Sequence, residues 1–202
     1  FQATAYTKDG VLPKLKTFTL DMTDGIMKFT FDEIMDVASV KMKMGEMKLQ
    51  NKDKESTAQS AVLAGTASGT DGTIITVTLD VPSANAVRAV STLATDKASA
   101  FITFSSNFIT DVDGNGVVAA PATAAVQATE FVGDSKPPLA TGFTIDMTAG
   151  SMEITFEQPV DGSKVDIKEL QLQSTKDASN GVAVTLPAST VSKALSVKVS
   201  VT

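Results

Sequence analysis

The chain of 202 residues contains no cysteine, no histidine and no tryptophan, and only one tyrosine. Each lack removes a kind of chemistry. Without thiols or imidazoles there is no thiolate nucleophile, no imidazole base and none of the usual ligands of zinc or haem. Any metal must then be a hard cation held by oxygen. Aromatic residues make up 5% of the chain, which leaves few platforms on which sugars or bases could stack. Positive charge is also short, with 17 Lys and Arg against 23 Asp and Glu and a net charge of −6. A phosphate backbone or an anionic lipid surface is therefore a disfavoured partner, and nucleic acid is not expected. No run approaches the roughly 20 apolar residues of a membrane span, and the first residues lack the charged start and apolar stretch of a signal peptide. The lack of cysteine leaves the compartment open, because a domain of this size can be stable without disulfides.

What is present is self-similarity. Phe18-Thr19-Leu20-Asp21-Met22-Thr23-Asp24-Gly25 recurs as Phe143-Thr144-Ile145-Asp146-Met147-Thr148-Ala149-Gly150, a spacing of about one domain length. At the same spacing Met27, Thr30, Phe31 and Asp36 fall on Met152, Thr155, Phe156 and Asp161, and Leu49-Gln50 falls on Leu172-Gln173 after a small gap. Towards the N-terminus Gln2-Ala3-Thr4 and Asp9 match Gln127-Ala128-Thr129 and Asp134, and Pro13 matches Pro138. The chain thus reads as the final strand of one repeat (1–12), a complete repeat (13–136) and the first half of a third (137–202). It reads as a stretch from the middle of a longer protein, with strand exchange between copies as the alternative.

Within the repeat, apolar residues alternate with polar ones, the period of a strand with one buried face. Phe18, Leu20 and Met22 point one way, a turn follows at Thr23-Asp24-Gly25, and Met27, Phe29 and Phe31 begin the return strand of a hairpin. Further strands are expected at Val40–Met44, Met47–Leu49, Ala61–Ala64, Ile74–Leu79, Ala100–Phe104 and Ala122–Phe131. Ile75, Val77, Ile102 and Phe104 join Phe18, Leu20, Met27, Phe29 and Phe31 as expected core residues. The Ala-rich segment Pro82–Val90 reads as a short helical crossover, with Ser83 placed as an N-cap. Pro137-Pro138 stiffens the linker between repeats.

The alternating strand, the Gly turn and the runs Met27–Glu33 and Met152–Asp161 resemble the bacterial immunoglobulin-like domains of S-layer and surface proteins. The run Phe108–Gly116 is similar to their penultimate turn, and the Pro82–Val90 segment resembles related repeats in very large surface proteins of marine algae. The first copy departs from the pattern where Ile34-Met35 stands in place of Pro159-Val160. The resemblance implies an all-β fold of tandem immunoglobulin-like antiparallel β-sandwich repeats and an extracellular or cell-surface location. It brings no catalytic residues with it.

Asp111-Val112-Asp113-Gly114-Asn115-Gly116 offers side-chain oxygens at alternating positions, with Gly where the chain turns, as the first half of a calcium loop does. Ala122 stands where such a loop would end in a bidentate Glu. Two readings follow: calcium held by Asp111, Asp113 and Asn115, with a linker carboxylate such as Asp134 contributing, or an Asp/Asn/Gly turn without metal. Asp32-Glu33 is a poor acid–base pair, since adjacent strand residues face opposite ways. Met42, Met44 and Met47 read as core in preference to a soft-metal site. No N-glycosylation sequon occurs.

These features point to a non-enzymatic structural protein forming a stalk, coat or filament, whose partners are further copies or adjacent repeats. The alternatives are a calcium-assisted adhesive module that binds surface glycans, and spacer repeats of a larger surface enzyme.

Overall fold

The hairpin at the start of the repeat sets the register of everything after it. β1 (Leu15–Asp21) and β2 (Ile26–Met35) pair antiparallel, with Phe18 opposite Phe29 and Leu20 opposite Met27. In the turn between them the Asp21 carboxylate accepts the Thr23 N–H at 2.8 Å and the Asp24 N–H at 3.2 Å. Gly25 closes the turn at φ +67°, where a side chain would be strained. The structure, a computed structural model, describes residues 5–41, 46–54, 58–177, 179, 181–185 and 190–202. The chain divides into two units, Phe1–Lys136 and Pro137–Thr202. Among the described residues it is mostly β, in several sheets whose strands pair antiparallel with one exception.

In the first unit the remaining elements are β3 (Met47–Gln50), β4 (Ser60–Val62), β5 (Gly65–Ser68), β6 (Gly72–Leu79), α1 (Val81–Arg88), β7 (Phe101–Phe104), β8 (Val126–Gln127) and β9 (Glu130–Val132). One sheet runs β5-β6-β2-β1-β9 and the other β4-β3-β7-β8. Both contribute to one core, in which Phe18 and Phe29 from the first sheet meet Phe108 and, from the second, Leu49, Ile102 and Phe104. The Phe108 ring sits edge-on to Phe29 at 5.4 Å, an arrangement that favours aromatic pairs beyond their area alone. All nine residues expected in the core from alternation are buried.

The exception to antiparallel pairing is β1 with β9, which run parallel, Leu20 opposite Phe131. The first and last strands of the unit therefore lie side by side and point the same way. The chain enters this unit at one end of the sheet and leaves it at the other.

Several expectations are corrected. The single strand expected over Ala122–Phe131 is two short strands in different sheets, β8 on β7 and β9 on β1. The switch falls at Ala128-Thr129: Ala128 N–H donates to Ala100 O on one side, and Thr129 donates both N–H and Oγ1–H to Phe18 O on the other. The helix is present but begins earlier. Its N-cap is Asp80, whose carboxylate accepts the Ser83 N–H at 2.8 Å, while Ser83 Oγ accepts the Ala64 N–H at 2.8 Å and fastens the helix to the β4–β5 corner. β5 was not anticipated. Of the expected strand Val40–Met44, Val40 and Lys41 are not in a strand, and Met42 and Met44 lie outside the described residues. Of the final strand expected over 1–12, residues 1–4 lie outside the described residues, and 5–12 are in no strand.

The second unit repeats the opening of the first in its hydrogen-bond register. β10 (Ala140–Asp146) and β11 (Ser151–Asp161) pair with Phe143 opposite Ile154, and β14 (Leu195–Val201) pairs with β11 as β6 does with β2. The irregularities recur too: between Thr30 and Met35 in the first unit, and between Thr155 and Val160 in the second. Gly150 takes φ +64°, and the Asp146 carboxylate accepts the Thr148 and Ala149 N–H groups. A separate pair, β12 (Gln171–Gln173) with β13 (Ala183–Thr185), completes the described strands. The core here is small, Met152, Ile167 and Val201 with partly buried neighbours.

Candidate metal centre

The Asp111–Gly116 loop is positioned by three backbone anchors. Asp111 bridges to Met35 at the end of β2, Thr110 bridges to Gly116, and the Asp36 N–H donates to Thr110 O at 3.0 Å. Inside the loop the Asp111 side chain is the organiser. Its Oδ1 accepts the Asp113 N–H at 2.9 Å and the Asn115 N–H at 2.7 Å, and its Oδ2 accepts the Asn115 Nδ2–H at 2.8 Å. Gly114 takes φ +88°, and a Cβ on Gly116 would stand 2.6 Å from Ser106 O. Both glycines are demanded by the backbone.

The three residues singled out in the sequence therefore do different things. Asp111 is buried and turns its carboxylate inward to cap the loop. Asp113 and Asn115 supply N–H donors to it, and the Asn115 amide also donates to Asp9 O at 3.2 Å. The carboxylates that converge are those of Asp9, Glu33 and Asp111, each offering an oxygen within 4.8 Å of the others. Asp134 is elsewhere: it accepts from Arg88 Nε at 2.7 Å, beside the β1–β2 turn at the far end of β1.

Two of these positions were missed for identifiable reasons. Asp9 is the counterpart of Asp134 in the repeat, so a linker carboxylate does approach the loop, one repeat earlier than expected. Glu33 continues the odd-numbered row of Phe31 and Met35 along β2, whereas Asp32 faces outward and accepts the Lys14 N–H at 2.7 Å. The split of that pair across the strand followed from period two, but the inward reach of Glu33 needed the loop to be placed.

The electrostatics follow from this crowding. Burial pushes the Glu33 carboxyl above its ordinary value, and the negative charges of Asp111, Asp9, Asp32 and Asp113 push it the same way. For Asp111 burial also pushes upward, but the hydrogen bonds from the Asn115 side chain and from the Asn115, Asp113 and Gly114 backbone outweigh it, and its carboxyl lies below the ordinary value. An oxygen-loving divalent cation would relieve the repulsion among these carboxylates.

No family model matches this chain, and no curated protein matches it. Among solved structures the chain is similar to the crystal structure of the N-terminal part of the bacterial S-layer protein SbsC, at 16% identity and a TM-score of 0.38. That match covers 95% of this chain and 44% of the other, so the chain spans under half the length of the structure it matches. Among the described residues no helix is long and apolar enough to cross a membrane.

Proposed function

We propose that this chain is a non-enzymatic structural segment of an extracellular or cell-surface protein, built from tandem immunoglobulin-like β-sandwich repeats. Their task is to extend a stalk, coat or filament. One observation carries the reading: the two units share a register down to the same irregularities, and the first takes in the chain at one end of its sheet and releases it at the other. A module with that polarity joins to copies of itself in series without doubling back, and repetition then sets length. Electron microscopy of the native particle, with mass spectrometry of its subunit, tests this. A regular array of beads built from a subunit far above 21.0 kDa is expected; a lone particle containing a catalytic domain would overturn it.

A second reading, a calcium-assisted adhesive module, is favoured by the convergence of Asp9, Glu33 and Asp111. Isothermal titration of the 202-residue chain with calcium separates the two readings. Saturable binding lost in Asp9→Asn supports calcium, and no heat leaves the loop as an unliganded turn.

A further inference from the structure

The face of β3 and β7 turned away from the core carries a small pocket. Met47 and Leu49 of β3 and Ile102 and Phe104 of β7 belong to the core, so alternation turns Lys48 and Thr103 to the other side, where they stand opposite each other in the ladder. The Ser105 N–H donates to Glu46 O at 3.1 Å and continues that ladder by one rung. Glu46 and Ser105 lie beside them, and the Ser105 hydroxyl donates to the Glu46 carboxylate. The chain then returns over this face: Ala120 exchanges two backbone hydrogen bonds with Phe104, and Gln50 Nε2–H donates to Ala122 O at 3.1 Å. Between the strands and the returning segment lies an open pocket of about 370 Å³, within the size range of small-molecule sites.

Three polar side chains open onto it, each differently held. Thr103 is only 6% exposed, yet among the described residues its hydroxyl has no hydrogen-bond partner. No side-chain oxygen sealed from solvent is left unpaired among those residues, so the Thr103 hydroxyl takes its partner from whatever fills the pocket. Lys48 is exposed at the rim, and no described carboxylate pairs with its ammonium. Glu46 stands one two-residue repeat away along the chain, roughly 7 Å. Opposite charges thus face one space without meeting. Ala120 and Pro121 supply an apolar wall.

We propose that this pocket binds a small zwitterion, an α-amino acid with a short apolar side chain. Its carboxylate accepts from the Lys48 ammonium and the Thr103 hydroxyl, its ammonium donates to the Glu46 carboxylate, and its side chain lies against Ala120 and Pro121. A simple anion would leave Glu46 unanswered and a simple cation would leave Lys48 so; a ligand bearing both charges answers both. A neutral sugar would meet the hydroxyl but forgo both ion pairs. At the matching positions of the second unit stand Glu169 and Gln171, so of the two copies only the first places a lysine here. The inference goes beyond the array reading and does not depend on it.

Amide NMR of the isotope-labelled full chain, titrated with L-valine, tests it. Saturable shifts are expected at Lys48, Thr103 and Ala120. Isobutylamine and isovalerate, which each keep one of valine's two charges, should bind about tenfold or more weakly, the worth of one charge-assisted hydrogen bond. Lys48→Gln, which installs the residue of the second unit, should weaken valine about tenfold with the melting temperature unchanged. Thr103→Val should weaken it about fivefold, and Thr103→Ser should restore it. No saturable shift up to the solubility limit of valine, equal affinity for either single-charge analogue, or undiminished affinity in Lys48→Gln would each overturn the proposal. Saturation by methyl glucoside with valine silent would also overturn it, and would give the pocket to a neutral sugar.

Discussion

At the scale of single residues, the sharpest predictions come from Glu33 and Asp111, whose carboxyls are held on opposite sides of their ordinary values. The folded state raises the Glu33 carboxyl, so its effect on stability is most favourable at low pH, where it is protonated in both states, and is lost as pH rises through the folded value. Glu33→Gln is therefore expected to raise the melting temperature at pH 7 in chelator, with the gain vanishing below about pH 4, where the unfolded carboxyl is protonated too. Thermal melts across pH check it. The second unit already has Gln158 at the matching position, buried. Asp111 runs the other way. Because its carboxyl is held below the ordinary value, it contributes stability above the ordinary carboxylate range that is lost as pH falls through the folded value. Asp111→Ala orphans the Asp113 and Asn115 N–H donors, and should cost about 2–3 kcal/mol in denaturant unfolding at pH 7. Sequence pattern located Asp111 because Asp-x-Asp-Gly-Asn-Gly is a turn signature with few other uses. It could not separate cap from ligand, since both use the same oxygens.

At the scale of elements, legibility tracked the physics of each signal. Long alternating strands such as β1, β2 and β6 were readable because one face is fully buried and the period of two leaves no choice of register. The four-residue β5, with no large apolar side chain, left no such trace. The break between β8 and β9 was invisible for a different reason: Ala128 and Thr129 suit a continuous strand, and only the competing carbonyls of Ala100 and Phe18 divide it. For α1, Ser83 read as the cap because Ser favours that position, whereas the cap is Asp80 and Pro82 lies within the first turn. Asp80→Ala should cost about 1 kcal/mol in chemical denaturation, the usual worth of an N-cap. The chain's one arginine, Arg88 at the end of α1, ties that helix to Met22 O and to Asp134 of the linker. The Thr23 hydroxyl reaches Gly133 O beside it. Arg88→Gln is expected to speed proteolysis between Gly133 and Lys136 several-fold; unaltered cleavage would show that Thr23 holds the linker alone.

At the scale of the whole molecule, the contrast between units is one of burial. The same opening hairpin is sealed beneath a second sheet in the first unit and lies largely open in the second, where Phe143 and Met147 face outward. The repeat was plain in the sequence because its register held across several strands; how much core each copy encloses was not, since that depends on strands far along the chain. A fragment of residues 5–136 should therefore melt in one cooperative transition at a temperature indistinguishable from that of the first unit in the full chain, as calorimetry can check. The parallel placement of β1 and β9 also decides how the first unit would respond to being stretched. Pulling its two ends apart drags these strands past each other along their length. The bonds from Thr129 to Phe18 and from Met22 to Val132 are then sheared together, where a hairpin pulled at its open end gives way one rung at a time. Tension along the chain meets the domain at its stiffest seam.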